Sequence, residues 1–264
     1  MHRYTFDDTT RTIADSIRNI PGHSPADGTL MGTGALPTGG QVTLRGGLSN
    51  QIGGDYVSLP ANIVSKLGKT ATFETWVTWS PVIGQTDGAW QRIFDFGSSD
   101  QTAGTPGNGQ TYLFLSPLNG ATRVVRTAIT IAGNGSESLV DAPGSLPTNT
   151  ALPVHLAVVV NGATSQLSLY IDGVQSGVTA TLSDAALLAK LNDVNNWIGR
   201  SQFVGDQLYA GAIYEFRIYG RALTAADIAA SHTAGPNALP SPGDGGVTDG
   251  ATGAGGAAGD GSAG

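Results

Sequence analysis

The chain has no cysteine, so disulfides and thiolate metal sites are excluded. This absence does not fix a compartment. Charge is also scarce: 12% of the 264 residues are charged and the formal net charge is −7. Nucleic acids and anionic membrane surfaces need clustered Lys and Arg, and no such cluster is present. No apolar run approaches the ~18 residues that mark a membrane span. The opening MHRYTFDD has no apolar leader segment and does not read as a signal peptide.

Glutamate is nearly missing: Glu74, Glu137 and Glu215 are the only three. Retaining glycoside hydrolysis needs two carboxyl groups about 5–5.5 Å apart. Strands deliver such a pair from alternating positions, and none of the three has a partner at that spacing. Asp7 and Asp8 are adjacent and on a strand would point to opposite faces. There is no G-x-S-x-G and no thiol nucleophile. Histidines 2, 23, 155 and 232 lack the H-x-x-x-H spacing of a zinc helix. His155, inside an apolar strand, reads as a hydrogen-bonded structural residue. No Gly-rich loop with a Lys leads into a helix, so nucleotide binding has no support.

What is present reads as β-structure. TATFETWVTWS (70–80) alternates, with Phe73, Thr75, Val77 and Trp79 on one face and Glu74, Trp76 and Thr78 on the other. WQRIFDFG (90–97), QTYLFL (110–115), TRVVRTAITI (122–131) and VHLAVVV (154–160) are further strands. QLSLYIDGVQSG (166–177) is a hairpin whose Asp172-Gly173 suits a type I′ turn. SDAALLAKL (183–191) predicts a turn or two of helix. TAADIAASH predicts a short C-terminal helix with a capping box from Thr224 to Asp227. The expected fold is all-β: a two-sheet antiparallel β-sandwich of jelly-roll type spanning residues 1–234. Residues 235–264, rich in Gly, Ala and Asp and without an aromatic, Lys or Arg, read as a disordered linker and tether.

The hairpin, NNWIGRSQF (195–203) and GAIYEFRIYGRALTAADIAA (211–230) occur in an order that resembles the laminin-G-like, concanavalin A-like jelly-roll modules of bacterial secreted proteins. YTFDD…ADS…DGTL (4–30), GGDYVSLP (53–60), RIFDFG (92–97) and YLFLSP (112–117) extend the resemblance over roughly residues 3–232. Two positions depart from the family pattern. Pro153 stands where the family commonly has Trp, two residues before His155. Tyr214 stands where the last strand commonly carries Asp, leaving Glu215 as its carboxylate.

Asp7, Asp8, Asp15 and Glu215 are the candidate metal ligands. Ca²⁺ takes 6–8 oxygens from carboxylates, carbonyls and water, and the first and last strands of a jelly roll lie side by side. Related modules often carry a structural Ca²⁺ there. The alternative reading is that Asp8 and Asp15 serve as turn and capping residues. Trp90 and Tyr209 are the candidate ligand-stacking rings, while Trp76, Trp79 and Trp197 read as core. Arg92, Arg200 and Arg217 are placed to pair with acidic groups. The resemblance implies a non-catalytic, secreted or cell-surface recognition module for polysaccharide or glycan. A protein-binding or structural module is the alternative, and a diverged hydrolase is third. The ligand itself is not written in the sequence, because loops vary freely on such a scaffold.

Overall fold

The computed structural model describes residues 1–18, 21–47, 54–81 and 87–239. The alternating run builds the centre of the first sheet as the strand Thr70–Trp79. Phe73, Val77 and Trp79 enter the core between the sheets, and the intervening residues face outward. Val154–Asn161 pairs along one side of this strand and Leu208–Tyr219 along the other, both antiparallel. Beyond Leu208–Tyr219 lie His2–Tyr4 and Val42–Gly47. Beyond Val154–Asn161 come Gln166–Ile171 and the short strands Val174–Gln175 and Ala180–Thr181.

The second sheet runs in the order Ser138–Asp141, Arg126–Thr130, Gly109–Ser116, Phe94–Ser99, Asn195–Ile198, Tyr56–Leu59, Gly28–Met31, Thr12–Ile13. Among the described residues there are thus two antiparallel sheets of eight strands each. Phe94, Phe96, Leu113, Leu115 and Ile198 meet Phe73, Phe216 and Ile218 in a shared core. The sequence-derived β-sandwich is the observed architecture.

Local chemistry explains the details. Asp172 and Gly173 both hold positive φ (49° and 78°), as a type I′ turn requires. The Thr224 hydroxyl accepts the Asp227 N–H and the Asp227 carboxylate accepts the Thr224 N–H, completing the capping box of the helix Ala225–Ala234. Ile228 of that helix packs with Ala157, Tyr170 and Tyr219 on the outer face of the first sheet. Among the described residues, no helix is long and apolar enough to cross a membrane.

Three boundaries differ from the sequence reading. The strand expected from residue 90 starts at Phe94, because Trp90 takes a left-handed backbone conformation. The strand expected from 122 starts at Arg126, because the Asn119 side-chain carbonyl accepts the N–H groups of Ala121 and Thr122 and holds a turn. The ordered chain also runs past residue 234. Asn237 N–H donates to Glu215, and Arg217 donates to the Ala238 carbonyl at 2.7 Å. Residues 240–264 of the expected linker, and residue 53 of the GGDYVSLP run, lie outside the described residues.

Candidate functional site

Residues that alternate with the core on the second sheet face outward. Register places Trp197, Asp95, Phe114 and Ala128 in one row across four strands, with Gly97, Tyr112 and Thr130 beside them. A recess of about 210 Å³ lies over this face. Phe114 forms its floor, Trp90 and Phe203 are half-buried on its walls, and Arg92, Asn134, Glu137 and Asp206 supply its polar groups.

Arg92 is held by rings and carboxylates, although its Nε has no hydrogen-bond partner. Its guanidinium lies 4.1 Å over the Phe114 ring and 5.2 Å from the Trp90 ring. It donates to the Trp90 carbonyl at 2.9 Å and reaches Asp206 at 3.0 Å and Asp95 at 3.4 Å. Asp95 is fully buried. One of its oxygens accepts the Gln202 N–H at 3.0 Å and the other has no hydrogen-bond partner. Burial pushes the Asp95 carboxyl up to about 7, and Asp206 adds to the rise against the pull of Arg92 and the Gln202 N–H. Burial also raises Asp206, opposed by Arg92 and the Ser201 hydroxyl. Glu137 accepts the Tyr112 hydroxyl at 2.7 Å and the Gly135 N–H at 3.2 Å.

Trp90 holds φ at +62°. For a bulky side chain this is a strained conformation costing on the order of 1–3 kcal/mol, and such strain gathers at ligand sites. Its N–H donates to the Leu118 carbonyl at 2.8 Å. Gly120 lies so close that a Cβ there would sit 2.4 Å from the indole nitrogen. The surroundings therefore over-determine where this ring stands.

The sequence profile of the concanavalin A-like lectin/glucanases superfamily, laminin G type, matches residues 49–229. The chain belongs to this superfamily. No curated protein sequence matches the chain. Solved structures do. Domain 4 of AbnA, an extracellular arabinanase from Geobacillus stearothermophilus in complex with arabinotriose, is 21% identical with a TM-score of 0.57, covering 86% of this chain and 95% of that one. The CBM40 domain of the Ruminococcus gnavus IT-sialidase, bound to α2,3-sialyllactose, is 13% identical with a TM-score of 0.50, covering 70% and 91%. The binding domain of Botulinum neurotoxin DC, in complex with rat synaptotagmin II, is 13% identical with a TM-score of 0.56, covering 87% and 50%. At these identities the likeness is one of fold.

In this concanavalin A-like domain the residues singled out from sequence go to four different places. Trp90 is in the recess. Tyr209 is not: it is fully buried and its hydroxyl donates to the Thr78 carbonyl at 3.0 Å. It starts the last long strand facing the core, so its ring has no free face for a ligand. Trp197 is buried as expected, but on the outward side of its sheet, with Arg200 stacked 4.6 Å from its ring.

Glu215 lies on the outer face of the other sheet, under the helix. A bulge at Tyr214 shifts the register between Ile213 and Glu215 and turns Glu215 out of the core. There Glu215 accepts hydrogen bonds from Arg3 and Arg217. Arg217 also donates to Glu74 at 3.2 Å and to the Ser231 hydroxyl at 2.9 Å, and it lies 4.4 Å from the Trp76 ring. Glu74 further binds His155 and Tyr219, each at 3.0 Å. Two glutamates do share an arginine here, but both are fully buried, which closes them to any substrate. His155 is the structural residue that the sequence suggested.

The four proposed calcium ligands do not form a cage. Asp7 is exposed, Asp8 accepts the Ala14 N–H at 3.1 Å, and Glu215 is held by two arginines. Asp15 is fully buried at the other end of Arg3, whose N–H it accepts at 3.1 Å. Among the described residues, the one group of three or more metal-competent side chains within 4.8 Å joins Asp15 to His2 and His23. Sequence reasoning missed this convergence because it is made by a turn and a strand pairing, not by a short-range motif. It also missed Arg92, Phe114, Glu137 and Asp206 as site residues. The signal that would have found Phe114 is an aromatic at an outward position of YLFLS, directly across from the Asp of FDF.

Proposed function

We propose that this domain is a non-catalytic recognition module that seats a neutral saccharide in the recess bounded by Trp90, Phe114 and Phe203. The carrying observation is the strained, tightly held Trp90 beside fixed polar groups on an open sheet face. A sugar ring offers an apolar face to an aromatic and hydroxyls to the polar rim. At about 210 Å³ the recess is below the ~300–1,000 Å³ of sites that enclose a whole small molecule. It suits one unit of a longer chain.

Charge selects against an acidic sugar. Arg92 is matched by both Asp95 and Asp206, and Glu137 adds a further carboxylate. Among the described residues, Arg92 is the one cation lining the recess, and it is already paired. That arabinotriose occupies the Geobacillus domain and sialyllactose the Ruminococcus one supports saccharide recognition on this fold, and the lining favours the neutral kind. Such a module works outside the cell or at its surface, where polysaccharide is found.

Affinity electrophoresis against neutral arabinans, xylans, galactans and β-glucans, with a sialylated glycan for contrast, tests this. Retardation is expected with at least one neutral polymer and none with the sialylated one. Trp90→Ala should weaken it by roughly tenfold, the ~1–3 kcal/mol scale of a stacked ring. Tyr209→Phe should leave it unchanged. Binding to a protein partner with no retardation anywhere would favour the protein-binding reading. Release of reducing sugar would overturn the non-catalytic reading.

A further inference from the structure

Asp15 is the meeting point of two imidazoles. His2 comes from the first strand and its Nδ1 is 2.7 Å from Asp15 Oδ2. His23 comes from the loop ahead of the Gly28–Met31 strand and its Nε2 is 3.3 Å from the same oxygen. The two rings lie 5.0 Å apart, tilted by 46°. We propose that His2, Asp15 and His23 form a zinc site, with His2 binding through Nδ1, His23 through Nε2 and Asp15 through Oδ2.

The donor set decides the metal. Imidazole suits zinc and its neighbours, whereas Ca²⁺ takes oxygen alone. With metal–ligand distances of about 2.0–2.1 Å, tetrahedral donors stand roughly 3.3 Å apart. The Asp15–His23 pair already has that spacing, and the His2 pair would widen by about half an ångström to reach it. Side-chain exposure is 13% for His2, 14% for His23 and nil for Asp15. Solvent therefore reaches the site from the side of the two histidines, where a water can serve as fourth ligand.

The carboxylate is aimed before any ion arrives. Asp15 Oδ1 accepts the N–H groups of Arg3 and Ile17, at 3.1 and 3.0 Å, which leaves Oδ2 for the site. Oδ2 also accepts the Ala26 N–H at 3.1 Å. Outer hydrogen bonds of this kind orient metal ligands. On binding, the lone pairs of His2 Nδ1 and His23 Nε2 turn to the ion and each ring carries its proton on the opposite nitrogen. The ion would tie the first strand to the loop at residues 21–27.

The test uses the full chain, stripped with chelator and titrated calorimetrically with Zn²⁺. About one ion per chain is expected, with a rise in melting temperature that Ca²⁺ does not reproduce. Co²⁺ should give the strong visible absorption of a four-coordinate ion. His2→Gln and His23→Gln should each weaken Zn²⁺ binding by roughly tenfold or more while leaving polysaccharide retardation unchanged. Asp15→Asn is a poorer probe, because three backbone N–H groups depend on that carboxylate for folding. No zinc uptake by the stripped protein, or undiminished uptake in both histidine variants, would overturn the site.

Discussion

On the outer face of the first sheet, Glu74 and Glu215 share Arg217, which lies against Trp76. On the outer face of the second, Asp95 and Asp206 share Arg92, which lies against Phe114. The motif is the same and the surroundings differ. Around Arg217, the carboxylates also hold Arg3, His155, Tyr219 and the Asn237 N–H, under a helix that excludes water. Glu74 is pushed up by burial, yet His155 and Arg217 bring it below the usual carboxylate range. Around Arg92, one Asp95 oxygen is unpartnered and both carboxyls are raised. Complete neutralisation makes the first cluster part of the scaffold. The under-neutralised second cluster keeps unused polar capacity beside an open recess.

The comparison breaks most visibly at Arg217. Arg217→Met should leave Glu215 with Arg3 and Glu74 with His155 as the remaining basic partners in a buried site, at a cost of roughly 3–5 kcal/mol. Urea unfolding measures this, and a loss below about 1 kcal/mol would mean that the cluster is not enclosed in solution.

Asp95 sharpens the contrast through pH. Its folded-state carboxyl titrates near 7, well above the ~3.9 of an unfolded Asp. Below pH 4 it is protonated in both states and costs nothing. Between about pH 4 and 7 the unfolded chain ionises first, so this group removes stability as pH rises, by up to roughly 3–4 kcal/mol. Asp95→Asn should therefore gain on the parent between pH 5 and 8. Parallel pH–stability curves for the two proteins would refute the assignment.

A smaller effect is expected at the end of the chain. Truncation after Gly235 removes the Asn237 N–H from Glu215 and the Ala238 carbonyl from Arg217. It should cost about 1–3 kcal/mol in thermal or urea unfolding. Truncation after Leu239 keeps both bonds and should leave stability close to that of the full chain.

The scaffold was legible where the determinants are local. The Thr70–Trp79 alternation, the Asp172-Gly173 turn and the Thr224 capping box each state their own geometry within a few residues. The recess was legible only at Trp90. Its other members arrive from separate strands and loops, and nothing in the order of Arg92, Phe114, Glu137 and Asp206 along the chain brings them together. Tyr209 looked open because it follows the loop residues VGDQ, yet it already belongs to the strand. Asp15 was singled out beside Asp7, Asp8 and Glu215, but the side chains that meet it in space are His2 and His23, which no short-range pattern announces. The boundary placed at Gly235 shifts for the same reason. Composition marks a change at Gly235, but the hydrogen bonds of Glu215 and Arg217 extend the domain a few residues further.

The bulge at Tyr214 has a consequence for how this domain tolerates change in length. Ile213, Phe216 and Ile218 point into the hydrocarbon interior, and Glu215 and Arg217 avoid it only because one extra residue resets the pleat between them. Loss of the codon for Tyr214 would thus do what no single substitution can. It would throw every side chain on one flank of the strand through the sheet, sending either the ionic pair inward or Phe216 and Ile218 outward. The loops around Phe203 and Asn134 carry no such reading frame, so a residue gained or lost there would leave the inward and outward sets of this strand in place.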